Sequence, residues 1–265
     1  MSISEIFGYI GALFIGMVLG LIGGGGSILT VPILVYLFGI SPFLATAYSL
    51  FIVGTTALIG AVRNISKQLI DFKVAILFAV PAFTVVYICR KYILQAIPET
   101  IAHVGSITLS RDLAIMLFFA LLMLLASISM IKDKNDEPVK RKKVQNSYLL
   151  ILIGMFVGFL TGMVGAGGGF LIIPALVLFA KLPMKHAVAT SLLIIAVNSL
   201  IGFTGDIQNF ELNWSFLLIF TAISIVGIFI GIKLNQWIEG KKLKKGFGWF
   251  VLLMSFYILF RELVA

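Results

Sequence analysis

Two short glycine runs are the residues of this chain best suited to chemistry. Gly23-Gly24-Gly25-Gly26-Ser27 and Gly165-Ala166-Gly167-Gly168-Gly169 each interrupt an apolar stretch, and Pro32 and Pro174 each follow the fourth residue of their run by six positions. A helix that restarts after such a break opens with unpaired N–H groups and the positive end of its dipole. Glycine has no side chain, so an anion can come right up to that backbone. Two such ends facing each other would hold an oxyanion with main chain alone. Ser27 adds a hydroxyl that its counterpart Gly169 lacks. The ordinary role of glycine in lipid is close helix packing, but these clusters are denser than isolated pairs. Neither is followed by Gly-Lys-Ser/Thr, so they are not nucleotide phosphate loops.

The runs belong to an internal repeat at an offset of 142 residues. From Gly16 to Asn64 the offset gives 17 identities in 49 positions, including six glycines and the proline. It pairs Ala45, Ala47, Ser49 and Leu50 with Ala187, Ala189, Ser191 and Leu192, and reaches Phe72 opposite Trp214 without a gap. Apolar bias alone does not produce that many matched glycines. The chain is a duplicated unit.

Polar residues after the breaks could complete a pocket: Thr46, Ser49, Thr55 and Thr56 in one half, and Thr190, Ser191, Asn198 and Ser199 in the other. Ser49, Ser191 and Asn198 are the foremost candidates, with Thr190 close to the same helix face as Asn198, although hydroxyls in membrane helices commonly bond their own backbone. Arg63 could guide an anion or snorkel as a cytoplasmic anchor. Asp206 could respond to protons or simply close a helix. No carboxylate pair lies within the apolar spans, and His103 and His186 stand apart at loop edges, so no metal site and no cofactor are expected. Cys89 is the single cysteine, which leaves no disulfide framework and no CxxC motif.

These residues are positioned by a membrane protein. The chain is 60 % hydrophobic and 12 % charged, against roughly a quarter charged in soluble domains, and its mean hydropathy is +1.13. The net charge of +9 sits in short connections, as in cytoplasmic loops, and does not point to nucleic acid. The first apolar stretch lacks a basic leader region and is expected to be retained. Full spans are expected near 43–63, 72–90, 111–131, 186–205, 214–232 and 246–263, with 4–38 and 148–180 broken by the glycines. A later piece of about 12 residues rises only about 18 Å, little more than half a bilayer core. Residues 1–131 and 147–265 form the two transmembrane repeats, and 132–146 a basic cytoplasmic linker. That linker and the Lys233–Lys245 loop lie inside by the positive-inside rule, which puts Arg63, Lys67 and Lys73 inside and 206–213 outside. The halves are then inverted, at the cost of leaving Arg90, Lys91 and Arg111 outside. The expected fold is an all-α polytopic membrane protein of two inverted repeats. Each repeat has a glycine-broken, re-entrant-like helix hairpin followed by about three spanning helices.

The glycine motifs, Ala45-Thr46-Ala47-Tyr48-Ser49-Leu50-Phe51 and Ala189-Thr190-Ser191-Leu192 resemble the TauE/SafE family, also described as sulfite exporters or toluene-sulfonate uptake permeases. The resemblance covers nearly the whole chain. It implies secondary transport of sulfite, sulfonates or related anions across the inner (plasma) membrane, coupled to the proton gradient, with both export and uptake proposed for such proteins. Family members often carry a histidine near the end of the helix where this chain has Asn64 and Asp206, so a role for that histidine does not transfer. The implied partners are a small anion, the bilayer and protons, with a homo-oligomer open. A channel-like anion pore and a non-transport scaffold are the competing readings. A membrane redox enzyme would need paired cysteines or axial histidines in the spans, and they are absent from the sequence.

Overall fold

The computed structural model describes residues 3–24, 26–104, 107–132, 147–165, 167–207, 209, 211–235 and 240–264. The first half holds α1 (Ile3–Ile22), α2 (Ser27–Phe38), α3 (Pro42–Ser66) and α4 (Phe72–Ile88). A π-helical turn, Cys89–Ile93, then leads into α5 (Leu94–Ala96), β1 (Thr100–Val104), β2 (Ile107–Ser110) and α6 (Arg111–Lys132). The second half holds α7 (Ser147–Val164), α8 (Gly169–Leu178), α9 (Met184–Thr204), α10 (Trp214–Leu234) and α11 (Gly240–Val264). The linker expected at 132–146 lies outside the described residues apart from Lys132.

Among the described residues seven helical segments are long and apolar enough to cross a membrane: Glu5–Ile22, Pro42–Ser66, Phe72–Ala96, Arg111–Ile128, Ser147–Val164, Met184–Thr204 and Trp214–Leu234. α11 covers the last span expected from sequence but is not one of the seven. Its first turns carry the lysines that the sequence assigns to a loop, because a helix can continue past the apolar layer into water. The helices make the expected all-α polytopic bundle, and an antiparallel hairpin, with His103 opposite Thr108 and Val104 opposite Ile107, is added between α5 and α6. Its residues Thr100, Ile101, Val104, Ile107 and Thr108 are β-branched, the types that favour strands.

Local signals set the helix ends. α3 opens on Pro42, the position where a missing N–H costs nothing. The Asp71 carboxylate accepts from the Val74 N–H to cap α4, and the Asn213 amide oxygen accepts from the Phe216 N–H to cap α10. These two caps occupy equivalent positions in the repeat.

The helices pack across the halves. α1 lies along α10 in the same sense: Ser224 Oγ donates to the Ala12 carbonyl, and side chains at Gly16 and Gly20 would collide with Ser224 and Ile228. α7 lies along α4 in the equivalent way, with Gly154, Gly158 and Gly162 set against Phe78, Ala82 and Val86. α3 and α9 cross at the centre in opposite senses: Leu192 packs onto Gly60, Leu50 onto Gly202, and Ser199 onto Gly54. They are the most buried of the seven segments. α6 packs on α11. Outward faces carry Phe7, Ile76, Phe156, Leu218 and Leu253, all exposed, as a lipid-facing surface requires.

Candidate functional site

The site is built from two helix ends. α1 stops because Gly23 takes the left-handed conformation (φ 88°) and its N–H donates to the Leu19 carbonyl at 2.8 Å. α7 stops in the same way, with Gly165 at φ 70° donating to Thr161 at 2.8 Å. Only glycine adopts this left-handed end without strain. After each break a short helix starts, preceded by Gly26 in one half and Gly168 in the other, and neither start is capped by a side chain. α2 has 12 residues and α8 has 10. α1 and α7, at 20 and 18 residues, are long enough to span, so each break joins a long piece to a short one.

The two breaks meet. Gly24 and Gly169 pack backbone against backbone, so a Cβ on either would run into the other. Gly167 faces Val53, Ile195 and Ser199, and Gly169 faces Ile195, which puts the crossing level with the middle of α3 and α9. Gly25 and Ala166 lie outside the described residues.

α3 and α9 line the crossing with polar groups. On α3, Thr46 touches Gly165 and Val53 faces Gly167, with Ser49 between them on the same helical face. On α9, Val188 and Ser191 face Gly23, while Ile195 and Ser199 face Gly167. Asn198 follows Ser191 by seven residues on one face. Ser49 Oγ, Ser199 Oγ, Thr30 Oγ1 on α2 and both amide atoms of Asn198 are buried with no hydrogen-bond partner. Buried polar groups are normally bonded, so a cluster of orphans calls for a cause. Thr30 escapes a sequence reading because its repeat counterpart is Ile172; its signal is the i+3 position after Ser27.

Other candidate side chains have partners of their own. Ser27 Oγ donates to Gly24 O at 2.8 Å, Ser191 Oγ to Val188 O at 2.8 Å and Thr56 Oγ1 to Ile52 O at 2.6 Å. Thr190 accepts from the Asp71 N–H at 3.0 Å, while its repeat counterpart Tyr48 accepts from the Asn213 N–H at 2.8 Å. Both tie down the start of a helix in the other half. Thr55 is half-buried, and Arg63 holds its guanidinium 5.8 Å from the Phe229 ring on the outer surface of the bundle.

Arg90 is the residue that sequence reasoning leaves among the loop cations. It is fully buried in the π-helical turn and paired with Asp206, which is also fully buried. Its Nε donates to Asp206 Oδ2 at 2.7 Å, and its Nη2 donates to the same oxygen. Nη1 donates to Thr46 Oγ1 at 2.9 Å and reaches the Gly162 carbonyl at 3.4 Å, an orphan acceptor at the end of α7. Asp206 Oδ1 has no partner. Burial pushes the Asp206 carboxyl above the usual carboxylate range, with Arg90 pulling the other way. The available signal was a cation inside the apolar run Phe72–Ala96; the π-turn, a feature frequent at functional sites, is visible only in the structure. No group of three or more His, Cys, Asp or Glu that could hold a metal occurs among the described residues.

A polytopic helical bundle with two glycine-broken helices meeting in its interior defines a membrane protein of the transporter class. The chain belongs to the family described as sulfite exporter TauE/SafE, whose model matches residues 9–258. It is similar to a "Probable membrane transporter protein" of Xylella fastidiosa, 28 % identical over 258 residues covering 94 % of this chain and 92 % of that one. It is also similar to "Probable membrane transporter protein YunE" of Bacillus subtilis, 27 % identical over 255 residues with 86 % and 88 % covered. A probable membrane transporter protein of Methanocaldococcus jannaschii is 27 % identical over 250 residues, with 88 % of each covered. No solved structure matches the chain. This is a multi-pass transmembrane transporter of the TauE/SafE family.

Proposed function

We propose that the protein is a secondary transporter of a small oxyanion across the plasma membrane, binding it at the two glycine breaks and moving it by alternating access. The observation that carries this reading is the group of buried, unpartnered polar atoms on Thr30, Ser49, Asn198 and Ser199 around two uncapped helix starts. Helix-start N–H groups and a dipole favour an anion there, and hydroxyl and amide groups supply further donors. The family description points to sulfite or a related sulfur oxyanion, and protons are proposed as the coupling ion. A standing pore is disfavoured because Gly24 and Gly169 close the crossing between the breaks.

The halves are inverted about an axis in the membrane plane. The antiparallel crossing of α3 and α9, which are equivalent in the repeat, supports this: a two-fold that relates antiparallel helices is perpendicular to both. Internal repeats of this kind place binding sites at the interrupted helices. The burial of Arg90 removes the main conflict in the charge rule, since a paired interior cation is not a loop charge. Arg111 is likewise engaged, 4.0 Å from the Phe43 ring.

The test is thermal stability of the purified protein against sulfite, methanesulfonate, acetate, chloride, sodium and a neutral sugar. A ligand at a hundredfold excess over its dissociation constant stabilises the folded state by ~2.7 kcal/mol. An oxyanion is expected to raise the melting temperature, and Ser49→Ala/Asn198→Ala to abolish the rise in protein that still melts cooperatively. A rise with only a cation or the sugar would overturn the reading.

A further inference from the structure

We infer that Arg90 is the cation that grips the transported oxyanion, and that Asp206 occupies its guanidinium only while no anion is bound. The inference rests on the transport reading above and assigns the charged part of its site.

Four observations carry it. First, the fold does not need this ion pair. The repeat puts Ile232 opposite Arg90 and Asn64 opposite Asp206, so the equivalent place in the other half is built without either charge. A charge pair inside a membrane protein is expensive and marks function. Second, the pairing is half-made. Two guanidinium donors converge on Oδ2 while Oδ1, equally buried, bonds nothing. A planar fork is satisfied best by two oxygens of one group, the geometry that a carboxylate, sulfonate or sulfite offers and a halide does not. Third, the rest of the guanidinium is anchored to the second break, through Thr46, which packs on Gly165, and through Gly162. Fourth, among the described residues the pair stands almost alone. Cys89 is the other titratable side chain beside it, α3 and α7 present only Thr46 and a carbonyl, and Lys91 turns outward to Tyr87 at 3.1 Å.

The exchange balances. A proton from the bulk adds to an Asp206 oxygen, the neutral acid releases the guanidinium, and the anion takes the vacated N–H groups. On the other side the anion leaves, Asp206 returns its proton and the pair re-forms. One proton therefore travels with each anion.

The experiment uses the full chain, with sulfite as probe and methanesulfonate and acetate alongside, and compares wild type with Asp206→Asn and with Arg90→Gln/Asp206→Asn. The introduced amide keeps the shape of the carboxyl and cannot titrate, and the double variant buries no charge. Sulfite's own titration is common to all three proteins, so affinity ratios report the side chains alone. Asp206→Asn is expected to bind sulfite at least tenfold more tightly than wild type at pH 8. The ratio should shrink by up to about tenfold per pH unit on acidification, the linkage of one proton. In proteoliposomes Asp206→Asn should still exchange labelled anion but lose accumulation driven by a pH gradient. The double variant should bind at least tenfold more weakly than wild type. Identical pH profiles for wild type and Asp206→Asn, or wild-type affinity in the double variant, would overturn the inference and leave the transporter standing. No binding of any of the three anions by wild type would overturn the anion reading itself.

Discussion

Single side chains divide into those that hold the fold and those that the fold leaves unsatisfied. Ser199 Oγ bonds nothing, so Ser199→Ala removes no hydrogen bond and takes away a buried orphan; leaving such a group unpaired costs about 1–3 kcal/mol. Its melting temperature without ligand should equal or exceed that of wild type, while the rise produced by a bound oxyanion shrinks. Arg90→Ala should behave oppositely, because it strands a buried carboxylate at a cost of about 3–5 kcal/mol. Burial already holds the Asp206 carboxyl above its ordinary range, and removing Arg90 raises it further. A raised folded-state value means stability present at acid pH and lost as pH climbs through it. Arg90→Ala should therefore melt progressively higher as pH falls below neutral; a pH-independent deficit would contradict this. Ser49 and Asn198 could be read from sequence because they lie in the well-matched stretch of the repeat. Arg90 shows in the sequence only as a cation inside an apolar run, and its partner is 116 residues away, so the pair could not be read.

Helices and their ends were largely legible. α9 runs Met184–Thr204 where apolarity suggested 186–205, and α10 runs Trp214–Leu234 where it suggested 214–232. The glycine breaks fell at the expected residues because glycine's left-handed preference is local chemistry. The hairpin, the π-turn and the extra turns at the start of α11 were not legible. A short β-branched run beside a span has no distinctive periodicity, a π-turn depends on what its side chains meet, and apolarity ends before a helix must. The paired caps give a direct test at this scale. Asp71→Ala and Asn213→Ala should each lower stability by about 1 kcal/mol, the usual worth of a helix N-cap. Unfolding in a graded mixed micelle would measure both, and equal losses would fit the equivalence of the two positions.

For the whole molecule, the partnerships between helices were not readable. The first half gives α1 to α10 and the second gives α7 to α4, so neither half packs alone; which helix lies on which is decided in three dimensions. The proposed alternating access would accordingly move clusters exchanged between the halves about α3 and α9 rather than residues 1–131 against 147–265. Cys89, the single cysteine, is buried, so engineered thiols can be labelled with little background. Lys67→Cys and Asn209→Cys are exposed positions equivalent under the 142-residue offset. In right-side-out vesicles an impermeant maleimide should modify only one of them before permeabilisation; modification of both or neither would favour a parallel repeat. Because Arg90 and Asp206 have no counterparts in the other half, the carrier is electrostatically lopsided within a near-symmetric frame. Under the proposed alternating access, such a carrier would rest unequally between its two faces. Half-saturation should then differ for anion offered from either side, even though the ratio at which net flow ceases is fixed by the gradients alone.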